Sequence, residues 1–368
     1  MSIFAEVLSF IHDPQPGRFA PLALEVFRYQ TANVPPYRAH LAALGLDPSA
    51  VRAIDEIPPI STLAFKYTRT ESVAAAPGPE ARLFRTSGTT IGRDERGRHL
   101  VLRPEIYRAS ALGHLRRMFF PDNRRIAILA LHPTADRMPE SSLSQMISWA
   151  IEEFGAKSAE ENLCAATPAS VDIPRAVEFL RRQEGPVAIL ATTAACARLF
   201  EMLGTAGLPL RLPPGSRLMD TGGAKGQATP LDALAVVALA GQWLGLAPAM
   251  VINEYGMTEM CSQLYDATAF NSARRDPADA RRKLAPPWLR PFALDPATLR
   301  PVADGQPGVL AFFDLANVAS VAMLLTEDLG VVEDGAVRIF GRAALAETRG
   351  CALAIAEFAA PDGDADSR

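Results

Sequence analysis

Between residues 124 and 256 the chain repeats one pattern. Short apolar runs alternate with stretches of helical periodicity. "RRIAILALHP" reads as a buried strand and "PESSLSQMISWAIEEFG" as the amphipathic helix after it. "GPVAILATT" is a second strand, "AACARLFEMLG" a helix, and "GSRLMDTGG" and "PAMVINEYG" two further strands. Alternation of this kind predicts parallel βαβ units in an α/β sheet.

Each predicted strand ends in a polar cluster: Leu131-His132-Pro133, Ala191-Thr192-Thr193, Asp220-Thr221-Gly222-Gly223 and Asn253-Glu254-Tyr255-Gly256. Ligands of open α/β sheets bind beyond the carboxyl ends of the strands. Four separate segments are therefore expected to aim polar groups at one rim.

The flanks differ. Residues 1–80 hold helical patterns interrupted by prolines. Residues 308–342 read as a smaller β-rich unit, in which "GVLAFFDL" and "MLLTEDLGVV" are strands and "EDG" is a hairpin turn before "AVRIFGR". Residues 1–342 are expected to form the folded body, and 343–368 a short tail with no second domain. The apolar stretch "ALAVVALAGQWLGLAPAMVI" is interrupted by Gly241, Gln242, Gly245 and Pro248, which predicts a buried helix and then a strand, not a membrane span.

A net charge of −4 gives no electrostatic basis for a nucleic-acid partner. The amino-terminal stretch lacks the basic region and cleavage site of a signal peptide, so a cytoplasmic protein without a membrane partner is expected. The four cysteines, Cys164, Cys196, Cys261 and Cys351, show neither disulfide nor zinc spacing. Of the 37 basic residues only Lys66, Lys157, Lys225 and Lys283 are lysines, which shortens the list of catalytic candidates.

Three motifs carry chemistry. "FRTSGTTIG" places four hydroxyls around Gly88, with Gly92 after it. Converging backbone N–H groups and hydroxyls suit phosphates; the alternative is a polar hairpin turn. No GxxxxGK[ST] pattern exists, so this is not a Walker P-loop. In "NEYGMTEM", Glu259 can hold magnesium, Tyr255 can stack on a base and Thr258 can bond a phosphate; the alternative is a strand followed by a capped helix. "TEDLG" offers Asp328 to sugar hydroxyls, or is simply an acidic turn.

"TSGTT", "EYGMTE" and "TEDLG…FGR", in that order, resemble the adenylate-forming superfamily of acyl-CoA synthetases, peptide-synthetase adenylation domains and luciferases. "IPPISTLAFKY", "DTGGAKG", "GMTEMCSQLY" and "RGCALAIAEF" narrow the likeness to the LuxE-type acyl-protein synthetases of bacterial bioluminescence and their short relatives lacking a C-terminal domain. The resemblance implies the large α/β N-terminal domain of such enzymes, with parallel βαβ sheets and a smaller β-rich subdomain. It implies ATP and Mg2+ as cofactors and a small-molecule carboxylic acid as substrate. It also implies an acyl-acceptor protein or a reductase as partner.

By the same resemblance Thr86, Ser87, Gly88, Thr89 and Thr90 wrap the ATP phosphates. Gly222, Gly223 and Ala224 line adenine and the activated carboxylate. Asn253 and Tyr255 contact adenine, with Gly256 beside them. Thr258 meets the α-phosphate, Glu259 the magnesium and Asp328 the ribose, with Arg342 nearby. His132 matches a gate over the carboxylate. Cys351 matches a cysteine that takes the acyl group.

Two departures from the superfamily bear on mechanism. Ile91 and Arg93 stand where the phosphate loop usually continues Gly-x-Pro-Lys, and Arg93, Arg96 or Arg98 can supply the charge. No lysine follows Lys283, so the C-terminal lysine that steadies adenylation has no counterpart. Lys66 and Lys225 lie in motifs and are the candidate replacements; Lys157 and Lys283 do not. The expected reaction is acid activation to an acyl-adenylate with release of pyrophosphate, then transfer to a protein thiol. Its alternatives are an adenylating enzyme acting on an aromatic acid such as a phenazine carboxylate with a separate acceptor, and a non-catalytic nucleotide-binding sensor or scaffold.

Overall fold

The computed structural model describes residues 1–86, 96–222, 231–274 and 281–342. Its contacts divide the chain into two compact units. One comprises residues 111–258 and 263–284, and the other residues 1–110, 259–262 and 285 onward.

The first of these units carries the repeated pattern. Strands Ala127–Leu131, Val187–Thr192, Arg217–Thr221 and Val251–Tyr255 run parallel as successive neighbours. A short strand, Leu163–Cys164, pairs parallel on the outer side of Ala127–Leu131. Beyond Val251–Tyr255 the sheet is extended by antiparallel strands Leu264–Asp266 and Lys283–Leu284, which the alternation did not anticipate.

The intervening helices are Ser142–Phe154, Ile173–Arg181, Thr193–Ala206 and Ala233–Leu244. Their starts follow from local chemistry. The side chains of Ser141, Asp172, Thr192 and Asp232 each accept a hydrogen bond from a backbone N–H of the first turn, satisfying donors that have no partner inside the helix. Gly207 and Gly245 close two of the helices in the left-handed conformation.

The expected buried helix is a correction. Ala233–Leu244 buries Val236, Ala240 and Leu244 along one stripe, whereas Leu234 is 67% exposed. Alanines around the helix make it read as apolar on every side, although only one face packs.

Leu129, Ile189, Leu218 and Val251 pack with Leu199, Leu203, Val236 and Leu244 in one core cluster of this unit. Arg217 is 2% exposed; it donates to both carboxylate oxygens of Asp122 and to the Phe119 carbonyl. Charge and hydrogen-bond satisfaction together make its burial tolerable.

In the other unit, helices Ile3–His12, Phe19–Asn33 and Pro35–Ala43 account for the proline-broken pattern of the first 80 residues, with Pro35 at the first turn of the third. Strands Leu289–Leu294, Pro307–Asp314, Met323–Glu333 and Ala336–Arg342 form an antiparallel meander. Ile60–Ser61 pairs parallel on Met323–Glu333. Glu333 faces Ala336 across a two-residue turn, and both central residues, Asp334 (φ 51°) and Gly335 (φ 74°), are left-handed. That is the turn expected from "EDG". A separate hairpin joins Arg82–Arg85 to Arg98–Val101.

Candidate active site

The parallel strands bring their ends into line. Leu131 stands opposite Ala191, Thr192 opposite Thr221, and Thr221 opposite Glu254. His132, Thr193, Gly222 and Gly256 therefore follow at one rim, as the polar clusters led one to expect.

A connected polar network supports this rim. The Thr193 hydroxyl lies 3.0 Å from Asp220 Oδ2 and 3.0 Å from the Gly222 carbonyl. Asn253 Nδ2 donates to the same Asp220 oxygen at 3.0 Å. Lys283 Nζ donates to Asn253 Oδ1 at 2.6 Å and to Asp266 Oδ1 at 3.0 Å, and Arg281 reaches Asp266 Oδ2 at 3.1 Å. Both ends of the Asn253 amide are thus engaged within the protein. Asp220 is 1% exposed and its Oδ1 has no hydrogen-bond partner among the described residues. Burial raises its carboxyl to about 6, opposed by the bonds from Asn253 and Thr193.

Lys283 belongs to no motif, yet it is 8% exposed and central to this network. Its partners, Asp266 and Arg281, likewise carry no motif signal. Sequence spacing has no handle on them, because the contact forms only when strands Val251–Tyr255, Leu264–Asp266 and Lys283–Leu284 lie side by side.

Glu254 is buried behind the rim and accepts a hydrogen bond from the Thr221 hydroxyl. Burial raises its carboxyl to about 7, against the Thr221 bond and the Lys283 charge. A Cβ added at Gly256 would sit 2.5 Å from Glu254 Oε1, so a glycine there lets the backbone close over that carboxylate. Tyr255 and Thr258 are half-buried on either side of the exposed Gly256. His132 is half-buried, burial depresses its imidazole to about 4, and its Nε2 has no hydrogen-bond partner among the described residues. At neutral pH it is an uncharged wall, suited to gating and unsuited to supplying a positive charge.

In the other unit, the neck of the Arg82–Arg85/Arg98–Val101 hairpin is tightly tied. The Thr86 N–H donates to the Gly97 carbonyl at 3.0 Å, the Gly97 N–H to the Thr86 hydroxyl at 2.8 Å, and Arg96 Nε to the Thr86 carbonyl at 2.6 Å. Lys66, on helix Ala64–Tyr67, lies against this neck: a Cβ at Gly97 would be 3.5 Å from Lys66 Cγ. Asp328 and Arg342 are opposite one another in the ladder, and the Arg342 guanidinium is 3.5 Å from Glu327. Glu259 is half-buried.

Among the described residues no group of three or more His, Cys, Asp or Glu side chains is placed to hold a metal. Nucleotide magnesium does not require one, since it is usually held by one or two carboxylates together with substrate phosphates. A single carboxylate such as that of Glu259 fits that donor set. Ser87, Gly88, Thr89, Thr90, Gly223, Ala224, Lys225 and Cys351 lie outside the described residues. No helix among the described residues is long and apolar enough to cross a membrane.

Two solved structures share the fold. A 2-hydroxyisobutyryl-CoA ligase in the postadenylation state, in complex with 2-HIB-AMP, matches with a TM-score of 0.67 at 19% identity over 90% of this chain and 69% of that one. An open conformation of that ligase with 2-HIB-AMP and CoA matches at 0.65 and 20% identity, over 87% and 73%. The fold is therefore the large α/β domain of an adenylate-forming ligase, with a β-rich subdomain.

Two curated relatives are long-chain-fatty-acid–luciferin-component ligases. That of Aliivibrio fischeri is 39% identical over 85 residues, which is 21% of this chain and 22% of that protein. That of Vibrio harveyi is 37% identical over 79 residues, 20% and 21% of the two chains. The matched segment thus spans only about a fifth of either relative. The family model described as acyl-protein synthetase, LuxE, matches residues 5–359, nearly the whole sequence. With the order of its motifs, the strand-end rim and this match in agreement, the chain belongs to the LuxE acyl-protein synthetase family.

Proposed function

We propose that the protein activates a carboxylic acid with ATP and passes the acyl group to a protein thiol. The observation that carries this reading is the rim of polar strand ends on a chain of the LuxE family. In the first step a carboxylate oxygen attacks the α-phosphorus of ATP. The bond to the β-phosphate breaks, giving an acyl-adenylate and pyrophosphate. In the second a thiolate attacks the acyl carbon and AMP departs.

Such chemistry depends mainly on placement and charge neutralisation. Tyr255, Gly256 and Gly222 take adenine and the carboxylate, a role the resemblance extends to Gly223 and Ala224, and Asn253 holds Asp220. Thr258 faces the α-phosphate and His132 closes over the acid. In the other unit Thr86, Ser87, Gly88, Thr89 and Thr90 are assigned to the phosphates by the resemblance, Asp328 to the ribose hydroxyls with Arg342 beside it, and Glu259 to the magnesium. When bound, that ion supplies charge neutralisation at the phosphates. Lys66, which lies against the hairpin neck, and Lys225 are the candidates for the positive charge that steadies adenylation. The acid is a long-chain fatty acid, by likeness to the two curated relatives, and the acceptor thiol is Cys351.

ATP–pyrophosphate exchange driven by a panel of fatty and aromatic acids tests the reading. Exchange with long-chain acids is expected, falling about a hundredfold or more in Glu259→Gln. ATP binding with no exchange for any acid would overturn it in favour of a nucleotide sensor. Exchange confined to aromatic acids would move the substrate assignment to that class.

A further inference from the structure

We infer that Asn317 is the positioning residue for Glu259, acting through the backbone on the carboxyl side of that glutamate; the inference rests on the reading of Glu259 as the magnesium ligand. Residues 259–262 belong to no helix or strand. Their backbone groups must find partners elsewhere or pay the cost of burial. Asn317 provides them. Its Nδ2 donates to the Glu259 carbonyl at 2.7 Å and its Oδ1 accepts from the Cys261 N–H at 2.9 Å. A carboxamide here does the work of one residue of a neighbouring parallel strand, bonding the C=O of one residue and the N–H two places on. Neither a carboxylate nor an aliphatic side chain can do both.

Asp314 completes the clamp. Its Oδ2 accepts from the Cys261 N–H at 3.0 Å and its Oδ1 from the Ser262 hydroxyl at 2.7 Å. The clamp is itself braced. Asn317 is 1% exposed and Asp314 fully buried. The second Nδ2 hydrogen of Asn317 goes to the Val321 carbonyl at 3.0 Å, and the Asn317 carbonyl accepts from Gln30 Nε2 at 3.0 Å. Gln30 Oε1 in turn accepts from the Ala322 N–H at 3.0 Å, fixing the turn to helix Phe19–Asn33. The Asn317 bond engages the backbone carbonyl of Glu259 and not its carboxylate. Groups that orient a metal ligand typically change metal affinity by ten- to a hundredfold when removed.

The test is Mn2+ binding, followed by electron paramagnetic resonance, to full-length protein saturated with a non-hydrolysable ATP analogue. Asn317→Asp, nearly isosteric but without the donor, is expected to weaken Mn2+ about tenfold or more while affinity for metal-free analogue stays within twofold. A merely structural residue would lower thermal stability and leave that metal-specific loss unseen. Asn317→Ser, which keeps an acceptor and admits water, gives a second route should the aspartate prevent folding; a loss in the same direction is expected. Glu259→Gln runs beside them. Wild-type Mn2+ affinity in either Asn317 variant, with Glu259→Gln weakened, overturns the positioning role alone. Undiminished Mn2+ affinity in Glu259→Gln overturns the metal assignment and the inference with it.

Discussion

At the scale of single residues, the buried carboxyl of Glu254 makes the sharpest claim. Burial raises it from the usual range to about 7, so the folded chain keeps a proton that the unfolded chain gives up. Native stability from this group therefore falls as pH rises from about 4.5 toward 7, and the full cost applies above that window. Glu254→Gln keeps an acceptor for the Thr221 hydroxyl and removes the titration. Relative to wild type, the variant is expected to gain stability between pH 5 and pH 8, by up to roughly 3 kcal/mol for a shift of this size. Urea unfolding of both proteins at the two pH values measures it. An unchanged difference would mean that Glu254 ionises in the folded state as it does in the unfolded chain.

At the scale of elements, the strands and their polar ends were legible because a buried parallel strand writes itself as an apolar run and its exit as a polar break. "AILALHP" and "MVINEYG" became Ala127–Leu131 and Val251–Tyr255 with their ends on one rim. The Asp334-Gly335 turn was legible because two left-handed residues admit few side chains. Lys283, Asp266, Asn317 and Asp314 were not legible. The bonds joining Lys283 to Asp266, Asp314 to Cys261 and Asn317 to Glu259 span 17, 53 and 58 residues, which no local pattern specifies. Nor was the one-sided burial of Ala233–Leu244, since alanine is compatible with both core and surface.

The hairpin neck permits a prediction at this same scale. A Cβ on Gly97 would come within 2.9 Å of Thr86 Cγ2, so Gly97→Ala must turn Thr86 away and break the 2.8 Å bond that ties the two strands. ATP affinity is expected to drop about tenfold, because small displacements of a positioning loop are costly. Adding Thr86→Ser deletes the offending methyl and keeps the hydroxyl; it is expected to restore most of the loss. Isothermal titration with ATP reads both, and failure of the serine to rescue would sever the neck from nucleotide binding.

For the molecule as a whole, the proposed reaction turns on where the acyl group goes after activation. Four thiols are available in the sequence, and the folded body disfavours two of them by physical means. Cys196 and Cys261 are buried, and burial, with Asp220 and Asp314 respectively adding repulsion, raises both thiols well above their ordinary range. A thiol held protonated is a poor nucleophile. Cys164 is half-buried, and its sulfur lies 3.6 Å from the carbonyls of His132 and Ala166. The acceptor proposed is Cys351, by the resemblance of its segment to the acylated tail of the family. Incubation with ATP and a radiolabelled long-chain acid is expected to label the chain at about one acyl group per molecule, in a bond cleaved by neutral hydroxylamine as a thioester is. Cys351→Ser is expected to abolish that label while ATP–pyrophosphate exchange continues at the wild-type rate, since the first step does not use the thiol. Full labelling of Cys351→Ser would send the acyl group to another acceptor on the chain. Loss of exchange together with the label would place Cys351 in the activation step and break the two-step scheme.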